Sequence, residues 1–177
     1  MEADGDPGTM HDGPDLAAVP SFEALFHTEY PKMVALAAAV SGSRLHAEDI
    51  AQDAMTRLDK NWSKIQGFHK PGAWLRRVTI NLAVSHRRRL AAETKALLRM
   101  RTPEPTISVE PPASHQDVWD AVALLPKQQR AAIALQYLED RSITEIADIL
   151  DISPATARVH LHRARQTLRD RLEEVDR

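Results

Sequence analysis

The side chains best suited to recognition chemistry lie near the end of the chain, from Arg158 to Arg169, in the run R-V-H-L-H-R-A-R-Q-T-L-R. An arginine fork can grip guanine through two hydrogen bonds, and each such pair discriminates by about 1–3 kcal/mol. At helical spacing, Ala157, Leu161, Ala164 and Leu168 share one face. Ala155, Val159, His162, Arg163 and Gln166 fall opposite, with Arg158 and Arg165 on a flank. A helix that is basic on one side and apolar on the other, following a short apolar helix and a tight turn, is the reading unit of a helix-turn-helix. Its N-terminal half enters the major groove, so Ala155, Arg158, Val159, His162 and Arg163 should face base edges. Thr156 and Arg165 should reach phosphates, which position the helix without specifying sequence. His160 and His162 stand at i and i+2, point apart, and do not form a metal-ligand pair.

Two further sets are visible. Asp49, Gln52, Asp53 and Thr56 make a polar stripe opposite the apolar Ile50, Ala54 and Leu58. Two carboxylates one turn apart repel each other unless a basic partner or solvent meets them. Residues 70–101 hold 9 Lys/Arg against the single acid Glu93, whereas residues 1–69 hold 11 acids against 5 Lys/Arg. The net charge of −2 therefore conceals an acidic front and two basic blocks. That segregation points to two nucleic-acid contacts and one partner of opposite sign.

The elements that must position these sets read as helices throughout, with alanine, leucine and arginine plentiful and only 6 glycines in 177 residues. Residues 1–20, rich in Asp, Gly and Pro, are expected to be a disordered tail. Ser21 should cap a helix to about Val40, ended by Ser41-Gly42-Ser43 and kinked or interrupted at Pro31. A second helix should run from about His46 to Asn61. A loop over 66–70 should lead into a third helix, with Pro71 as its first residue and its body from Ala73 to about Leu90 or beyond. Leu75, Val78 and Leu82 are its expected inward stripe. Four prolines in residues 102–112 exclude a helix and make a stiff linker. Beyond it, a helix starting at Ser114 or Asp117 should run to Leu125, then another from Lys127 to about Leu138. A short helix capped by Ser142 (Thr144 to Leu150) follows, then the last, with Ser153 as N-cap and Pro154 as its first residue. The expected fold is all-α, with two small helical domains (21–101 and 114–177) joined by a linker over 102–113.

Several classes are excluded. With no cysteine, disulfides, Cys-ligated zinc and thiol catalysis are out. No apolar run approaches the roughly 20 residues of a membrane span, and no signal peptide is present, so a cytoplasmic protein is expected. There is no Gly-rich phosphate loop, no Gly-x-Ser-x-Gly and no His-Glu-x-x-His, so neither an enzyme nor a cofactor or metal is expected.

Four segments, in order, carry a family resemblance. F-E-A-L-F-H-T-E-Y-P-K-M, H-A-E-D-I-A-Q-D-A-M-T-R-L, G-A-W-L-R-R-V-T-I-N-L-A-V-S-H-R-R-R and the stretch from Leu124 through Arg165 resemble the extracytoplasmic-function sigma factors, over Phe22 to Leu172. The resemblance implies a promoter-specificity subunit of bacterial RNA polymerase. It implies that Asp49, Gln52, Asp53 and Thr56 meet the clamp helices of the largest polymerase subunit, and that the flap of the second-largest subunit, duplex and single-stranded promoter DNA, and an anti-sigma factor are further candidate partners. It gives the first basic block the −10 element. Opening DNA unstacks bases at a few kcal/mol each, recovered by holding a flipped base, and the strand is held by basic and aromatic groups. Asn81 would read a base edge. Lys70, Arg76, Arg77, Arg87 and Arg88 would hold the backbone, and Phe68 and Trp74 are the stacking candidates. The C-terminal helix-turn-helix would take the −35 element. At about 3.1 Å per residue, about twelve extended residues would reach roughly 35 Å between the two sites. Ser85 stands where the family usually has Asp, Val159 and His160 where Ser and Arg are common, and Thr79-Ile80 where more polar residues are often seen. The alternative is a stand-alone dimeric helix-turn-helix regulator, which would need a dimerisation or sensing domain in place of residues 22–101.

Overall fold

The computed structural model describes residues 21–68, 70–100 and 116–175. The expected tail and linker lie outside them. Among the described residues the chain is all-α, in eight helices: α1 Phe22–Ser41, α2 Ala47–Lys60, α3 Trp62–Ile65, α4 Pro71–Met100, α5 Gln116–Ala123, α6 Lys127–Glu139, α7 Ile143–Leu150 and α8 Pro154–Val175.

Local chemistry sets most of the boundaries. Ser21 is extended, and its hydroxyl accepts from the Ala24 N–H at 3.2 Å, satisfying one orphan donor of α1. Gly42 ends α1 in the left-handed region (φ 73°), with its N–H on the Ala38 carbonyl at 2.9 Å. It is also a point of close approach, since a Cβ there would lie 3.1 Å from that of Ala123 in α5. Of the kink or interruption expected at Pro31, the interruption does not occur, and α1 continues through it. Both Pro31 and His27 are exposed, so the carbonyl that loses its donor can face water.

The first four helices pack around Met33, Leu36, Val40, Leu58, Ile65 and Leu75, all almost completely buried. Ile50, Ala54 and Leu58 bury the inner face of α2 as their spacing requires. The inward stripe of α4 differs from the sequence expectation. Leu75, Thr79, Ile80 and Ala83 are buried, while Val78 and Leu82 are half-buried. A threonine is tolerated there because its hydroxyl donates to the Leu75 carbonyl at 3.0 Å and lies 3.2 Å from the Met33 Sδ. Sequence reading left Trp62–Ile65 unassigned, and these residues form α3. Ile65 is buried, and the Trp62 ring meets Phe22 edge-on at 5.7 Å. The long helix α4 outlasts its packing, with every residue from Arg88 to Ala96 exposed.

In the second half, Ile133, Leu135, Ile146, Ala147, Ala157, Leu161 and Ala164 form the buried centre of α6, α7 and α8. Arg130 is buried among them. Its guanidinium donates to the carbonyls of Ala123 (2.7 Å) and Leu125 (3.1 Å), closing the C-terminal end of α5. The two halves touch. Helices α5 and α6 pack on α1, α7 packs on α4, and the buried apolar residues form one continuous cluster.

Candidate functional site

Three surfaces contain the residues singled out from sequence. The first is built by α7 and α8. Ser142 caps α7 in a reciprocal box, its hydroxyl accepting from the Glu145 N–H while the Glu145 carboxylate accepts from the Ser142 N–H at 3.0 Å. The bonds from the Ser142 backbone and hydroxyl, then Arg141 at 2.9 Å, pull the Glu145 carboxyl down to about 2. Asp151 then turns the chain in the left-handed conformation (φ 59°), and the Ile152 N–H returns to the Ala147 carbonyl at 3.1 Å. Ser153 starts α8 by accepting from the Thr156 N–H at 3.1 Å. With Ala157, Leu161 and Ala164 buried against α6 and α7, the opposite face of α8 is presented to solvent. Ala155, Arg158, Val159, His162 and Arg163 are all exposed there. Two phosphate candidates are already engaged. The half-buried Thr156 hydroxyl bonds Ser153 at 2.8 Å, and Arg165 donates to Gln136 (2.6 Å) and Tyr137 (3.3 Å) of α6.

The second surface is α2. Asp49, Gln52, Asp53 and Thr56 are all exposed. The Thr56 hydroxyl donates to the Gln52 carbonyl one turn back at 2.9 Å, leaving the amide and the two carboxylates to face outward as a negative ridge.

The third surface, α4 and the turn before it, is only partly open. Phe68 (49% exposed), Asn81 and Arg88 face solvent. Trp74 is half-buried against the core, which favours a packing role over a free stacking platform. Arg87 is half-buried. Arg76 lies inside, 2% exposed, paired with Glu29 of α1 and Glu139 of α6 and donating to the Gly72 carbonyl at 2.9 Å. In this arrangement it cannot reach DNA. Thr79 and Ile80 likewise belong to the core. Lys70 pairs with Asp148 at 3.2 Å. Arg77 donates from Nε to the Ile149 carbonyl (2.9 Å) and from Nη2 to the Asp148 carbonyl (2.6 Å), with Asp151 3.6 Å away.

Sequence reasoning missed Glu29, Glu139 and Asp148, the carboxylates that take up these cations, and Arg141, which shares Glu139 with Arg76. A signal was present for one of them. Glu29 sits at the i+4 position between Leu25 and Met33 on the buried face of α1, and a carboxylate in an apolar stripe requires a buried cation. It also missed the contact of His46, at the head of α2, with His86 of α4, whose ring centroids are 4.4 Å apart.

The model for sigma-70 region 2 matches residues 25–93, and that for sigma-70 region 4 matches residues 115–168. The chain is 32% identical over 168 residues to the ECF RNA polymerase sigma factor SigE of Mycolicibacterium smegmatis, covering 89% of this chain and 64% of that one. It thus spans just under two thirds of that relative's length. It is 28% identical over 158 residues to the ECF RNA polymerase sigma factor SigW of Bacillus subtilis, covering 81% of this chain and 84% of the relative. Among solved structures, the sigma factor RpoE of Bartonella quintana, crystallised with the anti-sigma factor NepR, shares the fold. The TM-score is 0.69 at 24% identity, over 88% of this chain and 98% of the other.

Proposed function

We propose a role for this chain, which belongs to the extracytoplasmic-function group of the sigma-70 family: it is a promoter-specificity subunit that docks on core RNA polymerase and directs it to its start sites. The observation that carries this is the outward exposure, in one chain, of a carboxylate ridge on α2 and a base-reading edge on α8. The ridge of Asp49, Gln52 and Asp53 suits a basic helical partner, here the clamp helices of the largest polymerase subunit, because opposed surface charge steers and orients docking. The α8 edge of Ala155, Arg158, Val159, His162 and Arg163 reads the −35 element as duplex, Arg163 and Arg158 through guanine and Val159 through a thymine methyl. The face of α4 and the turn before it, with Asn81, Phe68, Lys70, Arg77, Arg87 and Arg88, receives the −10 strand once DNA opens, Asn81 supplying both a donor and an acceptor to a base edge. The domains are residues 21–101 and 114–177, and the flap of the second-largest subunit is the second docking partner.

The catalytic chemistry belongs to the polymerase, so this chain is not an enzyme and holds no cofactor. No helix among the described residues is long and apolar enough to cross a membrane, in keeping with work beside cytoplasmic polymerase. An anti-sigma factor is a further candidate partner. A stand-alone dimeric regulator is not favoured, because residues 25–93, where such a regulator would need its dimerisation or sensing domain, match sigma-70 region 2. Run-off transcription tests the proposal. Core polymerase with this chain, on a genomic fragment library, should give discrete transcripts absent with core alone. The same background with and without the chain would refute it.

A further inference from the structure

We propose that the hollow between α1, α5 and the end of α6 is a binding site for a small monocarboxylate with an apolar body, a medium-chain or aromatic acid. The cavity measures about 410 Å³, within the roughly 300–1,000 Å³ of small-molecule sites. Side-chain size leaves it hollow. Ala35 and Ala38, at i and i+3 of α1, form its floor, and a methyl group at each position leaves the space beside Trp119 of α5 and Leu138 of α6 unfilled. Trp119 is half-buried against the core and Leu138 is 36% exposed, so both walls offer apolar surface to a guest.

The rim fixes the charge of that guest. Arg44, in the turn after α1, is exposed, and its guanidinium makes no ion pair or hydrogen bond among the described residues. The Trp119 indole N–H likewise has no hydrogen-bond partner among them. Two donors with nothing to donate to, one of them cationic, suit a carboxylate, whose oxygens only accept. Asp120, also on the rim, is already engaged, and its charge leaves the Arg44 side to the anion. None of the residues assigned above to polymerase or DNA lines the hollow, so those roles do not account for it. It draws one wall from each half of the chain, α1 and its following turn from the first, α5 and α6 from the second. A ligand seated there binds the packed arrangement of the halves in preference to a separated one, and adds to its stability by mass action.

The test uses the full chain without polymerase. The probes are octanoate and 1-naphthoate, each beside a neutral counterpart, octanol and 1-naphthylmethanol. With 3 tryptophans the chain gives few indole N–H signals in a proton–nitrogen NMR spectrum, and Trp119→Phe identifies the one from α5. Titration with either acid should move that signal saturably, with Kd below about 1 mM, and leave those of Trp62 and Trp74 in place. The acids should bind at least about threefold tighter than the alcohols, a modest gain because Arg44 is exposed. Arg44→Ala should erase that preference while the alcohols still bind. Ala38→Leu, which fills the floor, should abolish saturable binding of every probe. If Ala38→Leu loses its helical circular dichroism, Ala35→Leu at an exposed position takes its place with the same expectation. A Trp119 signal that neither acid moves would overturn the site, as would binding that the filled floor leaves unchanged or equal movement of all the indole signals. Alcohols that bind as tightly as the acids would overturn the assignment to a carboxylate.

Discussion

Replacing Arg76 with alanine should destabilise the protein by about 3 kcal/mol, far more than an exposed arginine would. The side chain is 3% exposed, between carboxylates that are 10% (Glu29) and 3% (Glu139) exposed. Removing one partner of a buried ion pair costs about 3–5 kcal/mol, because charge is left in a medium that cannot solvate it. The lower end applies here, since Glu29 keeps Lys32 at 3.0 Å and Glu139 keeps Arg141. The bond to Gly72 is lost as well. Against a typical total of about 5–15 kcal/mol this is a large fraction. Urea unfolding followed by circular dichroism at pH 7 measures it. Removing all three charges together, as Arg76→Met/Glu29→Leu/Glu139→Met, should recover most of the loss, because a buried triad and its apolar replacement are often close in energy. A loss below about 1 kcal/mol for Arg76→Ala, the level of an exposed pair, would refute the buried arrangement and return Arg76 to the surface.

The remaining predictions concern the other elements. Ser142→Ala should cost about 1 kcal/mol in thermal or urea unfolding through loss of the α7 cap, and Glu145, now at about 2, should titrate higher by NMR. Acid should weaken the α2–α4 contact. Burial, then the His46 and Arg89 charges, lower the His86 imidazole below 6.5, so its contribution to stability is present above about pH 6.5 and lost as pH falls below it. The melting temperature of His86→Phe, which keeps the ring contact, should therefore fall less between pH 7 and pH 5 than that of the native chain. Equal falls would exclude the pair as the cause. Arg163→Ala should weaken binding to a −35 duplex by about 1–3 kcal/mol in a mobility-shift assay while leaving affinity for core polymerase unchanged.

Much of this was legible in sequence because it depends on local rules. Ser21, Ser142 and Ser153 announced their helices through capping chemistry, and Pro71 and Pro154 marked first positions. The faces of α2 and α8 follow from helical periodicity, which by itself puts Asp49, Asp53, His162 and Arg163 outward, where the structure has them exposed. What sequence could not supply is long-range. Arg76 and Arg77 are adjacent in a basic run, yet one is buried between Glu29 and Glu139 while the other binds the end of α7, 71 and 72 residues away. Charge patterning shows that a segment is basic without showing which of its cations the fold itself consumes. Thr79 misled for a related reason. Its hydroxyl is satisfied by its own helix, so polarity did not exclude it from the core.

The most direct test of the account is the affinity of Asp49→Arg/Asp53→Arg for core polymerase, measured beside its affinity for −35 duplex. Both positions are exposed, so the fold should survive the reversal. If the α2 ridge is the docking surface, core affinity should fall at least about a hundredfold, the equivalent of about 2.7 kcal/mol, with duplex binding held within about twofold. Core affinity equal to that of the native chain would contradict the assignment.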